Sequence, residues 1–348
     1  MTRDTHSMPV TVARSFSRSK PAEWVAFRER APWWGGDLQT LRNHLLAGQQ
    51  PLPSTTVTRL FPISDGTGDR LMGRLEQPVQ PAPGTPLIVL IHGLTGCEDS
   101  TYVRRSAAFH LLRGRRVLRL NLRGAGPGRK LATGYYHAGC APDLQDVLAG
   151  LTDEDIRHGV FAVGYSLGGN ILLNLLGSLP TGERLVGAAV VSAPIEPGEA
   201  CQRIMAPRNA LYHRWLLRRM KQDVLASPRL APAEREAIIE ARSVYAFDHR
   251  WVAPRNGFRD AEDYYARTAG ARQLASISVP TLLLHAMNDP WIPVRPYLEL
   301  QQPASPHVEI VVARSGGHVG FHEHGHTETW HDRRIEDFLV RLEGRVRG

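Results

Sequence analysis

The sequence predicts an α/β fold: a doubly wound, mostly parallel sheet carrying an inserted helical cap. Three observations predict it. Between Leu87 and Ser192, short apolar runs alternate with stretches of helical periodicity, as in chains that cover both faces of a parallel sheet. The alternation stops at Ala193-Pro194 and resumes only at Val279-Pro280. The interval 195–275 carries helical patterns and is too long for a structureless loop in a compact domain.

Taken in order, residues 1–54 read as an irregular N-terminal arm packing on the core, with a tryptophan-rich patch of Trp24, Trp33 and Trp34. Residues 55–194 are the first part of the core. Thr55 to Phe61 and Arg70 to Glu76 alternate apolar and polar residues around Asp65-Gly66-Thr67-Gly68, which predicts an antiparallel hairpin at a sheet edge. Leu87 to Ile91 is a continuous apolar run, as a strand buried on both faces requires. A helix follows at Tyr102 to Arg113, a strand at Val117 to Leu120 and a helix at Pro142 to Leu151. Next come a strand at 159–163, a helix at 167–178 and a strand at Leu185 to Ser192.

The cap, 195–275, contains a helix whose apolar positions Leu211, Trp215, Met220 and Val224 stand opposite Arg214, Arg218, Arg219 and Lys221. Residues 276–348 complete the core: a strand around Thr281 to His285, a short helix near Pro296 to Leu300, a strand at Val308 to Ala313 and a helix from about Glu328 to Leu342.

Composition narrows the function classes. The 348 residues carry a formal charge of +8, but only three of the 42 basic residues are lysine, and the arginines are scattered without a nucleic-acid motif. No nucleic-acid partner is expected. Three dispersed cysteines, Cys97, Cys140 and Cys201, form neither a disulfide framework nor a thiolate metal site. Met1 to Lys20 lacks the apolar core of a secretory signal, and no run is long enough to span a bilayer. A cytoplasmic protein with at most peripheral membrane contact is expected.

The chemistry is carried by Gly164-Tyr165-Ser166-Leu167-Gly168, set between an apolar strand and an apolar helix. A sharp turn there would present the serine hydroxyl at the strand end. Serine is a weak nucleophile at neutral pH and needs a base within hydrogen-bond reach, oriented by an acid. Asp289 and His318 each lie just past a late strand, on the sheet edge that carries Ser166, and are the candidates for those roles. The negative oxygen formed during acyl transfer requires backbone donors, assigned to the Leu94 and Leu167 amides. His92 is read as a loop-stabilising residue. His322, His324, His326 and His331 lack companion carboxylates or thiolates, so no metal is expected, and no organic cofactor. Arg123 to Lys130 matches no phosphate loop and is read as a turn shaping the site wall.

These motifs resemble the YheT-like branch of the α/β-hydrolases, related to eukaryotic esterases and phospholipases that act on acyl lipids. The similarity runs through Leu38-Gln39-Thr40, His92 to Gly96 with Ser100 to Arg104, and Asn121 to Gly124 with Tyr136 to Gly139. It continues through Gly164 to Asn170, Phe247-Asp248, Gly257-Phe258 and Tyr264-Tyr265, and ends with Asn288-Asp289-Pro290 and Gly316 to Phe321. The resemblance implies the α/β-hydrolase fold and places that family's triad on Ser166, Asp289 and His318. Two positions depart from the family pattern: Asp37, commonly histidine, and Asn288, commonly aspartate.

The expected function is cleavage of short- to medium-chain carboxylic esters through a covalent acyl-enzyme, the partner being a small acyl ester or lipid-like molecule. The same residues would serve a thioesterase, an amidase or an acyltransferase. Of another class is a peripheral lipid-binding protein with an idle triad.

Overall fold

Leu87–Ile91 is buried at every position and sits inside a sheet whose strands read the same way. The computed structural model describes residues 23–25, 27–46, 51–179, 184–227, 229–300 and 304–346. In chain order the strands are β1 (Glu23–Val25), β2 (Ser54–Pro62), β3 (Arg70–Pro78), β4 (Leu87–Ile91), β5 (Val117–Asn121), β6 (Val160–Tyr165), β7 (Leu185–Val191), β8 (Thr281–Ala286) and β9 (Val308–Ala313). They form one nine-stranded sheet ordered β1-β9-β8-β7-β6-β4-β5-β3-β2. The predicted hairpin is present: β2 pairs antiparallel with β3 and β3 with β5, while every other pair is parallel.

The main helices are α1 (Gly35–Leu45), α2 (Thr101–Leu111), α3 (Ala141–Ala149), α4 (Leu167–Ser178), α5 (Pro197–Met205), α6 (Ala210–Leu225), α7 (Pro232–Glu240) and a closing helix Trp330–Val346, of which α2, α3, α4 and the closing helix cover the two faces of the sheet. Alternate residues of β4 point to opposite sides. Ile88 and Leu90 join a cluster with Val103 of α2 and Ile335 and Leu339 of the closing helix. Leu87, Val89 and Ile91 join Leu144 of α3 and Ile171 and Leu175 of α4. Every parallel strand ends on the same edge, and the site stands there.

Two expectations need correction. The first 54 residues are not irregular throughout: Glu23–Val25 adds a parallel strand beside β9, and Gly35–Leu45 is helical. The segment Met1 to Lys20, expected to lack a secretory signal, lies outside the described residues. On α6 the buried positions are Leu216, Leu217, Met220 and Val224, whereas Leu211 is 74% exposed and leaves the expected stripe. Trp215 turns instead toward α1, its ring 5.1 Å from that of His44.

Candidate active site

Strand β6 ends at Tyr165 and α4 starts at Leu167, so the reversal falls on one residue. Ser166 takes φ +50° and ψ −123°, a conformation costly for a residue with a side chain. The flanking glycines let the turn close. A Cβ on Gly164 would lie 2.6 Å from Gly169 Cα, and one on Gly168 would lie 2.7 Å from the Ile91 carbonyl oxygen. The Ser166 hydroxyl is thereby held out, 2.9 Å from His318 Nε2.

His318 Nδ1 is 2.8 Å from Asp289 Oδ2. A carboxylate only accepts, so Nδ1 donates and Nε2 is left to accept from the serine hydroxyl. The other Asp289 oxygen accepts from the Trp291 and Ile292 amides at 2.8 and 3.0 Å. Burial alone would push this carboxyl up, but the adjacent His318 and the Ile292 amide hold it below the usual carboxylate range. The Trp291 indole stacks on the His318 ring at 4.6 Å between centroids.

The loop bearing His318 is fixed from three sides. Asn288 Oδ1 accepts from the Gly316 and Gly317 amides, each at 3.1 Å. Thr40 Oγ1 on α1 accepts from the His318 amide at 2.8 Å, and Asn43 Nδ2 donates to the Val319 carbonyl at 2.9 Å. The Ser192 hydroxyl accepts from the Val319 amide at 3.2 Å, holding a β-branched residue at φ +54°. Thr40 and Asn43 were missed by sequence reasoning; the only signal was Leu38-Gln39-Thr40 among the family-like motifs. Asp37 and Asn288, the two departures, stand close by: Asn288 caps the histidine loop, and Asp37 pairs with Arg208 at 2.6 Å and accepts from Tyr212 at 3.1 Å.

Opposite Ser166, the turn after β4 presents Gly93-Leu94-Thr95. The Tyr102 hydroxyl accepts from the Gly93 amide at 2.8 Å, and the Tyr136 hydroxyl accepts from the Thr95 amide at 2.7 Å. Leu94 lies between these two braced amides and, with Leu167, lines the cavity at Ser166. His92 braces this turn as expected: its Nε2 accepts from the Leu122 amide at 3.1 Å and its Nδ1 donates to the Gly93 carbonyl at 2.8 Å. Burial pushes it down to about 4, so it stays neutral.

The cavity above Ser166 measures about 480 Å³. Its sheet side carries Gly93, Leu94, Leu167 and His318, and its cap side Ile204, Met220, Val244, Phe247 and Val252. The other histidines stand apart from this chemistry. His322 is buried against Arg42, His331 is buried against the Tyr165 ring, and His324 and His326 are exposed. Among the described residues no group of His, Cys, Asp and Glu is arranged to hold a metal ion. Arg123, in the loop that superficially suggests phosphate binding, is instead bidentate with Asp143 at 2.6 and 2.9 Å.

The profile of the Alpha/beta hydrolase family matches residues 88–331. The chain belongs to this family. Within it, the chain is 32% identical over 274 residues to YheT of Escherichia coli, whose name places it provisionally among the esterases; the match covers 76% of this chain and 79% of YheT. Phospholipase ABHD3 of Mus musculus is 28% identical over 241 residues, covering 68% of this chain and 59% of that protein. The esterase Pf2001 of Pyrococcus furiosus superposes with a TM-score of 0.57 over 94% of this chain and 99% of that one. At 17% identity that likeness speaks for the fold alone. No helix among the described residues is long and apolar enough to cross a membrane.

Proposed function

We propose that the protein hydrolyses carboxylic esters of acyl chains through a covalent acyl-enzyme on Ser166. The observation that carries this reading is the unbroken relay from Ser166 Oγ to His318 Nε2 at 2.9 Å and from His318 Nδ1 to Asp289 Oδ2 at 2.8 Å. Ser166 attacks the ester carbonyl as His318 takes its proton. His318 returns that proton to the departing alcohol, and a water then repeats the sequence to free the acid. Asp289 holds the imidazole in the required tautomer and stabilises its protonated form. The Leu94 and Leu167 amides receive the negative oxygen.

The helical segment between β7 and β8 acts as a cap whose apolar wall receives the acyl chain. Each methylene buried there adds about 0.8 kcal/mol to binding, which favours medium-length chains over acetate. The names of relatives, a phospholipase among them, support an acyl-lipid class of substrate. Free thiols at Cys97, Cys140 and Cys201 support a reducing, cytoplasmic setting.

The test joins a fluorophosphonate probe to a series of p-nitrophenyl esters from about two to about sixteen carbons. The probe should label Ser166, and Ser166→Ala should lose ~10⁴-fold or more in turnover. Labelling that persists in Ser166→Ala would end the assignment.

A further inference from the structure

The cap-side wall of the cavity is mostly apolar; its ionisable side chains are Cys201, Arg219, Asp248, Tyr264 and Tyr265. Asp248 lines the cavity, is 7% exposed, and has no cation paired with it among the described residues. Its Oδ2 accepts from the Tyr265 hydroxyl at 2.7 Å, and that hydroxyl also lies 3.2 Å from Cys201 Sγ. Its Oδ1 has no partner among the described residues. Half of this carboxyl's acceptor capacity is thus left for whatever enters the cavity.

The backbone at this point is unusual as well. Asp248–Val252 forms a π turn between the short helices Val244–Phe247 and Ala253–Arg255. Single π turns inside helices occur frequently at functional sites. Here the turn and the helix before it put Val244, Phe247, Asp248 and Val252 all on the cavity wall.

We infer that Asp248, braced by Tyr265, is a specificity residue that binds a hydroxyl carried on the acyl chain, so that hydroxyacyl esters are preferred to plain alkyl esters. This deepens the ester-hydrolase reading and rests on it. A hydroxyl both donates and accepts, so it can satisfy the free oxygen whether the carboxyl is ionised or protonated. Both forms are accessible near neutrality, because burial pushes Asp248 up to about 7 against the opposing pull of the Tyr265 hydrogen bond. An anionic acyl terminus would meet an unpaired carboxyl at Asp248, since Arg219, the arginine that lines the same cavity, forms no ion pair with it among the described residues, and a cationic terminus would require the carboxyl to stay ionised.

The experiment compares kcat/KM for p-nitrophenyl esters of a medium-chain acid with those of its hydroxy isomers of equal length, the hydroxyl placed at successive carbons. In the wild type at least one isomer should exceed the alkyl ester by about tenfold or more, because a site built to hydrogen-bond a hydroxyl rejects the analogue lacking it. Asp248→Leu should reverse that ratio, and Tyr265→Phe should reduce it. Asp248→Ala serves where the leucine variant does not fold. A wild-type ratio at or below one for every isomer would overturn the inference, as would a ratio that Asp248→Leu and Asp248→Ala leave unchanged. Preference for an ω-ammonio ester over every hydroxy isomer would also overturn it. Turnover of alkyl esters with an unmoved ratio sinks this inference alone; absence of turnover for all esters sinks the hydrolase reading with it.

Discussion

On the sheet side of the cavity, Asp289 uses both oxygens, His318 both ring nitrogens, and the His318 loop is tied by Thr40, Asn43, Asn288 and Ser192. On the cap side, Ile204, Met220, Val244, Phe247 and Val252 meet the cavity through shape, beside the polar Arg219, Asp248, Tyr264 and Tyr265. The first wall fixes atoms to hydrogen-bond tolerance. The second fixes only a volume, and a volume can be refilled by other side chains. Residues of the sheet wall should therefore govern whether the reaction runs, and those of the cap wall which acyl chain runs fastest.

The severest break in that contrast is His318→Ala, expected to cost ~10⁴-fold or more in kcat, about as much as losing Ser166. Asp289→Ala should cost roughly tenfold to a hundredfold less, as removal of the orienting acid does in comparable triads. If His324→Ala abolished activity while His318→Ala did not, the base would have to be reassigned. A gentler probe reaches the same wall through α1: Thr40→Val deprives the buried His318 amide of its acceptor and should lower kcat about tenfold with KM little changed. Thr40→Ser should restore it, and equal losses in both variants would point to a fault of packing.

Cap-side substitutions should act in another currency. Trp215→Ala is expected to change kcat/KM only a few-fold, but to flatten its dependence on chain length in the p-nitrophenyl series; a uniform loss at every length would contradict the division. The smallest effect concerns pH and stability. The titratable groups facing Asp248 are Tyr264, Tyr265 and Cys201, all held protonated near neutrality by burial. Because the folded carboxyl is raised to about 7, the fold keeps its proton after the unfolded chain has lost it. The stability this one group contributes is then full below about pH 4 and is lost as pH rises through about 7. Asp248→Asn should remove this decline, read as Tm against pH from about 5 to about 8.

The sequence disclosed one wall far better than the other. Parallel strands buried on both faces read as unbroken apolar runs, so β4, β6 and β8 were legible, and with them the edge where Ser166, Asp289 and His318 gather within hydrogen-bond distance. Helix α1 was illegible for a physical reason: it buries Gln39, Thr40, Arg42 and Asn43 and leaves Leu38 and Leu45 partly outside, 39% and 64% exposed. Apolar periodicity finds helices that bury oil, and this one buries hydrogen bonds. On α6 the same signal was half right. It found Met220 and Val224 but assigned Leu211 inward, because Leu211 continues the spacing while standing 74% exposed, and Trp215 lies beside His44 of α1.

The bond from the His318 amide to Thr40 joins residues 278 apart in the chain. On the ribosome, the segment that supports the proposed base is therefore made before the proposed nucleophile, and the base after both. A chain that stops before β9 carries Ser166 without His318. Under the proposed roles, competence waits for β9, and activity reports that Thr40 and His318 have met.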